Sequence, residues 1–222
     1  MDYNQLCVLS NFLDPFTYQD PVRITRETME RIPNDNTHRL CQLAFGQEEE
    51  LFLSRNDLFR LRNGNLERFV LSVLFWGYPK NTRGRCQKAF ESWDSLLIFA
   101  NHIRHNPNMS LEDFEQLTQL MHNNIHGLGI STFSKLLYFS CASINGHRCI
   151  IIDDFEARGI AALQGIETMA LRTPVINGRY RYYRNYPLYL SAIDDLATTL
   201  KIPAHNIEYT LWLAGKKKKK NM

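Results

Sequence analysis

The stretch Leu120-Met121-His122-Asn123-Asn124-Ile125-His126-Gly127-Leu128-Gly129-Ile130-Ser131-Thr132-Phe133-Ser134-Lys135-Leu136-Leu137-Tyr138-Phe139, continued by Cys149-Ile150-Ile151-Ile152-Asp153-Asp154-Phe155-Glu156-Ala157-Arg158, decides the fold. Just upstream, Ser110-Leu111-Glu112-Asp113 has the form of a helix start, a serine cap with acids in the first turn. Phe114, Leu117, Leu120 and Met121 follow at helical spacing. Gly127 and Gly129 interrupt the pattern, and Phe133, Leu136, Leu137 and Phe139 resume it. The reading is helix, tight glycine turn, helix. Backbone amides opening the second helix are free to face an anion such as a phosphate oxygen. A turn that merely joins two packed helices has the same composition.

The isoleucine run is too short and too apolar to be anything but buried, and Asp153 ends it where a new helix (Phe155 to Leu163) begins. A carboxylate at a helix N-terminus is stabilised in its charged form by the dipole and the free amides. An ordinary capping aspartate looks the same in sequence. Asp154, next along, is expected to be a cap or surface residue.

The Gly127-Leu128-Gly129 hairpin, the apolar helix after it, and Asp153 with Arg158 five residues later resemble the helix-hairpin-helix (HhH-GPD) DNA glycosylase superfamily. Lys135 before Leu136-Leu137-Tyr138-Phe139, Ile152-Asp153 and the earlier Trp76-Gly77-Tyr78 are most similar to bacterial proteins with an 8-oxoguanine DNA glycosylase fold. The likeness spans residues 50–215 and is far more specific at its centre. It implies a mainly α, two-lobed helical fold. It also implies a catalytic Asp153 that stabilises positive charge on the sugar of a nucleotide flipped from the duplex. Bifunctional members of the superfamily place a lysine two residues after the second hairpin glycine, where this chain has Ser131. Lys135 lies one turn further on, about 6 Å away on the same helix face. Either its amine attacks the sugar, with strand cleavage (AP lyase) to follow, or a water does and Lys135 is a surface charge. The interval from hairpin to aspartate is slightly long for the pattern.

Phosphate contacts are expected from Gly127, Gly129 and Ser131 at the hairpin, and from Lys80, Arg83 and Arg85 in the loop after an apolar helix over 66–76. In the superfamily this loop inserts a side chain where the target base has left, which makes Tyr78 or Asn81 the candidate plug. A polar loop with an aromatic anchor is the plainer reading. Gln87 to Ile103 reads as one amphipathic helix. Further on, Arg179 and Arg181 are interleaved with tyrosines, offering phosphate contacts and stacking faces together. Asn177-Gly178 suggests a short β-ribbon over Val175 to Tyr182. Arg158 is expected as a structural or phosphate partner.

The remaining properties set limits. With 222 residues and 44% hydrophobic content the chain can bury a real core, and a net charge of +3 by itself says little about nucleic acid. Its five cysteines are scattered, without zinc-ligand spacing or the compact set that holds an iron–sulfur cluster. No cofactor is expected beyond a monovalent cation at the hairpin. No run of about 18 apolar residues is present, so a cytoplasmic monomer with no membrane partner is expected. Residues 1–48 read as an N-terminal elaboration, 49–215 as the glycosylase domain with the hairpin at 110–144, and 216–222 as a basic tail. The expected partner is double-stranded DNA carrying a damaged or modified base, 8-oxoguanine first. The alternatives are an anti-phage enzyme removing a base such as glucosylated hydroxymethylcytosine, a noncatalytic hairpin module that only binds DNA, and an all-helical interaction protein.

Overall fold

The computed structural model describes residues 1–80, 85–125, 128–164 and 168–220. The chain is mainly helical with two small sheets. Asp2 caps α1 (Tyr3–Phe12) in a reciprocal bond with Gln5, and Asp14-Pro15 starts the short α2 (Pro15–Tyr18). Strand β1 (Val22–Thr25) pairs antiparallel with β2 (Glu50–Leu53), Val22 opposite Leu53, and encloses α3 (Arg26–Glu30) and α4 (Thr37–Phe45). These first residues are not separate from the rest. Leu6, Ile24, Leu40 and Phe45 join the same continuous apolar cluster as Leu211.

Helix α5 (Arg55–Leu61) begins at a Ser54 cap and carries Arg55 into the interior. Its guanidinium bonds both oxygens of buried Glu208 at 2.8 and 3.0 Å, and also Gln19 and the Tyr138 hydroxyl. Helix α6 (Leu66–Gly77) is buried along its whole length from Phe69 to Trp76, which explains its near-unbroken apolar sequence. The stretch expected as one helix over 87–103 is two, α7 (Arg85–Glu91) and α8 (Trp93–His105), parted at Ser92. The buried positions Cys86, Phe90, Trp93 and Leu96 keep helical spacing across the break. Hydrophobic period alone therefore could not reveal it.

The two helices expected on either side of the glycines form and meet through Phe114 and Phe133 (ring centroids 5.9 Å apart), while His126 and Gly127 between them lie outside the described residues. Ser110 and Asp113 cap α9 (Leu111–Asn124), and α10 (Ile130–Phe139) follows from Gly129. Between α10 and the isoleucine run lies a three-stranded sheet, β3 (Asn108–Met109) parallel to β4 (Ser143–Ile144) and β4 antiparallel to β5 (His147–Arg148). Asn145 and Gly146, both at positive φ, make its turn. Strands β4 and β5 occupy the interval between α10 and the aspartate.

Helices α11 (Asp154–Ala161), α12 (Met169–Arg172), α13 (Tyr186–Leu200) and α14 (Ala204–Lys220) complete the chain. The ribbon expected over 175–182 is instead a pair of 3-10 turns, Ile176–Arg181 and Tyr183–Asn185. Asn177 and Gly178 do take the left-handed conformation that the dipeptide favours (φ 56° and 77°). The segments beside them find no strand partner, because Tyr183 packs edge-on to Phe133 of the hairpin. No described helix is long and apolar enough to cross a membrane.

Candidate active site

Three buried side chains bring the isoleucine run against the hairpin. The run is fully buried yet belongs to no sheet, so its backbone groups need other partners. The Tyr186 hydroxyl donates to Ile150 O (2.8 Å) and the Tyr189 hydroxyl to Ile151 O (3.0 Å). Ile152 N–H donates to Ser134 Oγ (3.2 Å), the position before Lys135 on α10. The next residue is thereby delivered beside Lys135. Asp153 caps α11, its Oδ1 accepting the Phe155 N–H at 2.6 Å, and its Oδ2 lies 3.7 Å from Lys135 Nζ.

Lys135 is only 6% exposed. Its ammonium donates to Ser131 Oγ (2.8 Å) and the Ser131 carbonyl (3.2 Å), as the shared helix face predicts. Its stem runs along Gly77, where an added Cβ would sit 3.4 Å from Lys135 Cδ. The Trp76-Gly77-Tyr78 segment thus forms one wall of the lysine's channel. The Asp153 side chain is 20% exposed, so the pair reaches the surface through the carboxylate.

Burial pushes the Asp153 carboxyl up, but the Glu156 hydrogen bond, the Lys135 charge and the Phe155 and Glu156 amides outweigh it. The net effect holds it below the usual aspartate range. Glu156, three residues on and 1% exposed, moves the other way. Burial first, and then the negative Asp153 beside it, raise it well above the usual glutamate range. The arrangement favours the ionised form of the carboxyl beside the lysine and the protonated form of the one behind it.

The other expected contact residues divide. Gly129 opens α10 with no side-chain cap, and the space where its Cβ would point is empty, so another backbone can approach this helix end closely. Its φ of −84° is one that any residue adopts, so the backbone conformation there does not itself call for glycine. Lys80 is exposed. Arg181 reaches Asp154 at 3.6 Å, and Asp154, with 54% of its side chain exposed, is the surface residue it was expected to be. Arg158 lies against the Phe155 ring at 5.8 Å. Tyr78 departs from its expected role as a plug. It is 7% exposed and its hydroxyl bonds Thr132 Oγ1, so it anchors the loop to α10 and does not present itself to a duplex. Gly127, Asn81 and Arg83 lie outside the described residues, as do the side chains of Arg85 and Arg179.

Sequence reasoning did not single out Ser134, Glu156, Tyr183, Tyr186 or Tyr189. The two later tyrosines look like core positions on an apolar helix. Glu156 alone left a trace, since an acid three residues after an aspartate cap is a capping-box pattern. Tyr183 packs on the start of α10, its ring edge-on to Phe133 and its hydroxyl donating to Leu128 O (2.8 Å).

With an aspartate and a lysine meeting at the foot of a helical hairpin, the comparison with known families becomes decisive. The family model described as "OGG: Putative 8-oxoguanine DNA glycosylase OGG-like protein" matches residues 16–212. The chain belongs to this family. The match takes in the hairpin, Lys135, Asp153 and the Arg-Tyr segment, and it starts inside the stretch first read as an elaboration. No curated protein and no solved structure matches the chain. Among the described residues, no group of three or more His, Cys, Asp or Glu is gathered in a way that could hold a metal ion.

Proposed function

We propose that this OGG-like protein is a DNA glycosylase that turns a damaged base out of duplex DNA and cleaves its N-glycosidic bond, with 8-oxoguanine as its first substrate. The observation that carries the reading is the 3.7 Å approach of Lys135 Nζ to Asp153 Oδ2, beside the open helix end at Gly129. A stacked nucleotide hides its glycosidic carbon, so the base must leave the helix before reaction. The α10 amides grip the phosphate backbone nearby. As the sugar–base bond breaks, its electron pair leaves with the base and positive charge grows on the sugar, where the Asp153 carboxylate stabilises it.

Lys135 is the nucleophile in this reading. Its ammonium first passes a proton to solvent at the partly exposed Asp153 side of the pair, and the neutral amine then forms a bond to C1′ as the base departs with the bond's electron pair and takes up a proton. Ring opening leaves a protonated Schiff base, from which loss of the C2′ proton and the 3′ phosphate cleaves the strand. Ser131, at the position usual for the superfamily lysine, orients Lys135 by accepting its hydrogen bond. The protein acts as a monomer on double-stranded DNA in the cytoplasm, with Lys80, Arg181 and the turn amides on phosphates.

The test is a panel of duplexes carrying modified bases, 8-oxoguanine and glucosylated hydroxymethylcytosine among them, scored for alkali-labile sites and for borohydride-trapped adduct. Release of 8-oxoguanine with a trappable adduct is the expected outcome. Lys135→Ala removes the adduct entirely and lowers base release by about 10²-fold or more. Adduct formation unchanged in Lys135→Ala would remove the lysine from this role. Release of the glucosylated base alone would reassign the substrate, and release of none would leave a hairpin that only binds DNA.

Tyr183→Phe tests the hairpin separately. It leaves the Leu128 carbonyl without that hydroxyl, a loss of about 1 kcal/mol. Duplex affinity measured by fluorescence anisotropy is expected to fall about fivefold, with the single-turnover rate at saturating enzyme little changed. A slower single-turnover rate with unaltered affinity would contradict the grip assigned to the turn.

A further inference from the structure

One buried titratable group at the site has no part in the chemistry described so far. Glu156 stands at the third position of α11 with its Oε2 accepting the Asp153 N–H at 2.8 Å, while its own N–H donates to the Asp153 side chain, so the two carboxyls are held together on one turn. In the other capping boxes among the described residues the partner at this position reaches solvent: Gln5 and Asp113 are exposed and Asp57 keeps 40% of its side chain accessible. Asp113 shows the ordinary case, its carboxyl lowered by the Ser110 bonds it accepts. Glu156 makes the same backbone bond from the interior.

The groups facing it come from four elements. They are Asp153 at the head of its own helix, Lys135 on α10, Tyr189 on α13 and Glu208 on α14. Two of the four are acids, and the nearby cations are engaged elsewhere. Arg55 grips Glu208 through both oxygens, and Lys135 is held by Ser131 and faces Asp153. A second carboxylate here would be desolvated and like-charged with its neighbours. Keeping one proton in the pair replaces that repulsion with a charge-assisted hydrogen bond.

We propose that Glu156 is a positioning residue, a neutral carboxylic acid that donates to the Asp153 carboxylate, accepts the Asp153 N–H, and so keeps Asp153 ionised and turned toward Lys135. Its consequence for catalysis rests on the glycosylase reading of Asp153, whereas its protonation does not. Glu156 touches neither base nor sugar and acts only through Asp153. The donated hydrogen bond resists protonation of Asp153, so base release continues to lower pH than an ordinary aspartate would permit. Raised in the folded state, Glu156 favours folding while it holds its proton and loses that contribution as pH climbs through its folded value.

Two measurements test this. In protein labelled with carbon-13 at its side-chain carboxyls, one glutamate resonance is expected at the neutral shift at pH 7 and should vanish in Glu156→Gln. Glu156→Leu, which removes the donor, is expected to move the acid limb of the single-turnover rate up by about one pH unit, a tenfold loss on that limb. Glu156→Gln, whose amide still donates, should restore the wild-type limb. A variant that only loosened the fold would lose rate at every pH without shifting the limb. If Glu156→Leu does not fold, the resonance and the Glu156→Gln limb still decide the matter. Every glutamate carboxylate ionised at pH 7, or an acid limb unmoved in Glu156→Leu, overturns the proposal. Base release by Asp153→Asn at the wild-type rate would instead remove Asp153 from the chemistry, and release of no base by the wild type would sink the glycosylase reading; in either case the Glu156 resonance would still report whether that carboxyl holds its proton.

Discussion

Asp153→Asn is expected to lower base release by about 10³-fold or more while leaving the fold and duplex affinity nearly intact. The substitution is unusually clean at this position. Asparagine is as good a helix cap as aspartate. The bond from the Phe155 N–H therefore survives, α11 keeps its start, and the Glu156 contact to the Asp153 N–H is untouched. What disappears is one negative charge, partly buried and 3.7 Å from Lys135 Nζ. In a desolvated site, a preorganised charge facing the developing cation on the sugar is worth several kcal/mol, and the loss of even one such group costs about 10²–10³-fold. Thermal unfolding and anisotropy with the variant supply the controls. A rate within about tenfold of wild type, with the protein folded, would place the chemistry elsewhere. The same experiment separates an enzyme from a noncatalytic hairpin module, for which this change has no consequence at all.

Gly159→Ala is expected to be strongly destabilising, although it adds a single methyl. Helices α11 and α14 approach backbone to backbone: a Cβ at Gly159 would stand 2.0 Å from Leu211 O, and one at Gly215 would stand 1.9 Å from Phe155 O. Neither obstacle is a flexible side-chain end. Room can be made only by moving the helices apart, which also opens the Phe155–Trp212 contact and disturbs the Glu208 end of the buried Arg55 pair. Overpacking of this kind costs about 3 kcal/mol or more. For a protein of this length that lowers the melting temperature by about 10 °C. Because α11 carries Asp153 at its head, base release should fall further than the folded fraction predicts. A melting temperature within about 2 °C of wild type would show that the helices can part without penalty.

The parts legible from sequence were those governed by neighbours along the chain. The Ser110 cap, the α9 and α10 periodicity, the helix start at Gly129 and the Asp153 cap are local events, and each stands where its residues put it. The i to i+4 relation of Ser131 and Lys135 is likewise a property of one helix. Local chemistry failed where two outcomes share one signal. Asn145-Gly146 and Asn177-Gly178 both take left-handed turns, yet only the first joins paired strands, β4 and β5, and β4 is further paired with β3. Tyr78 in a basic loop suggested an exposed ring, and the Thr132 hydroxyl on a different helix fixes it inside.

The amino-acid order by itself determined that this protein would be helical, that a glycine turn would leave one helix end open, and that a carboxylate would cap the helix after the isoleucine run. Hydrogen bonds within a turn and hydrophobic period suffice for that, since both act over a few residues. Only the tertiary structure decided that Asp153 faces Lys135 and that Glu156 lies buried behind it. Those placements depend on Ser134, Tyr186 and Tyr189 supplying bonds to a strand-like segment that has no strand beside it. Such partners lie up to 38 residues away, and nothing in the local pattern names them.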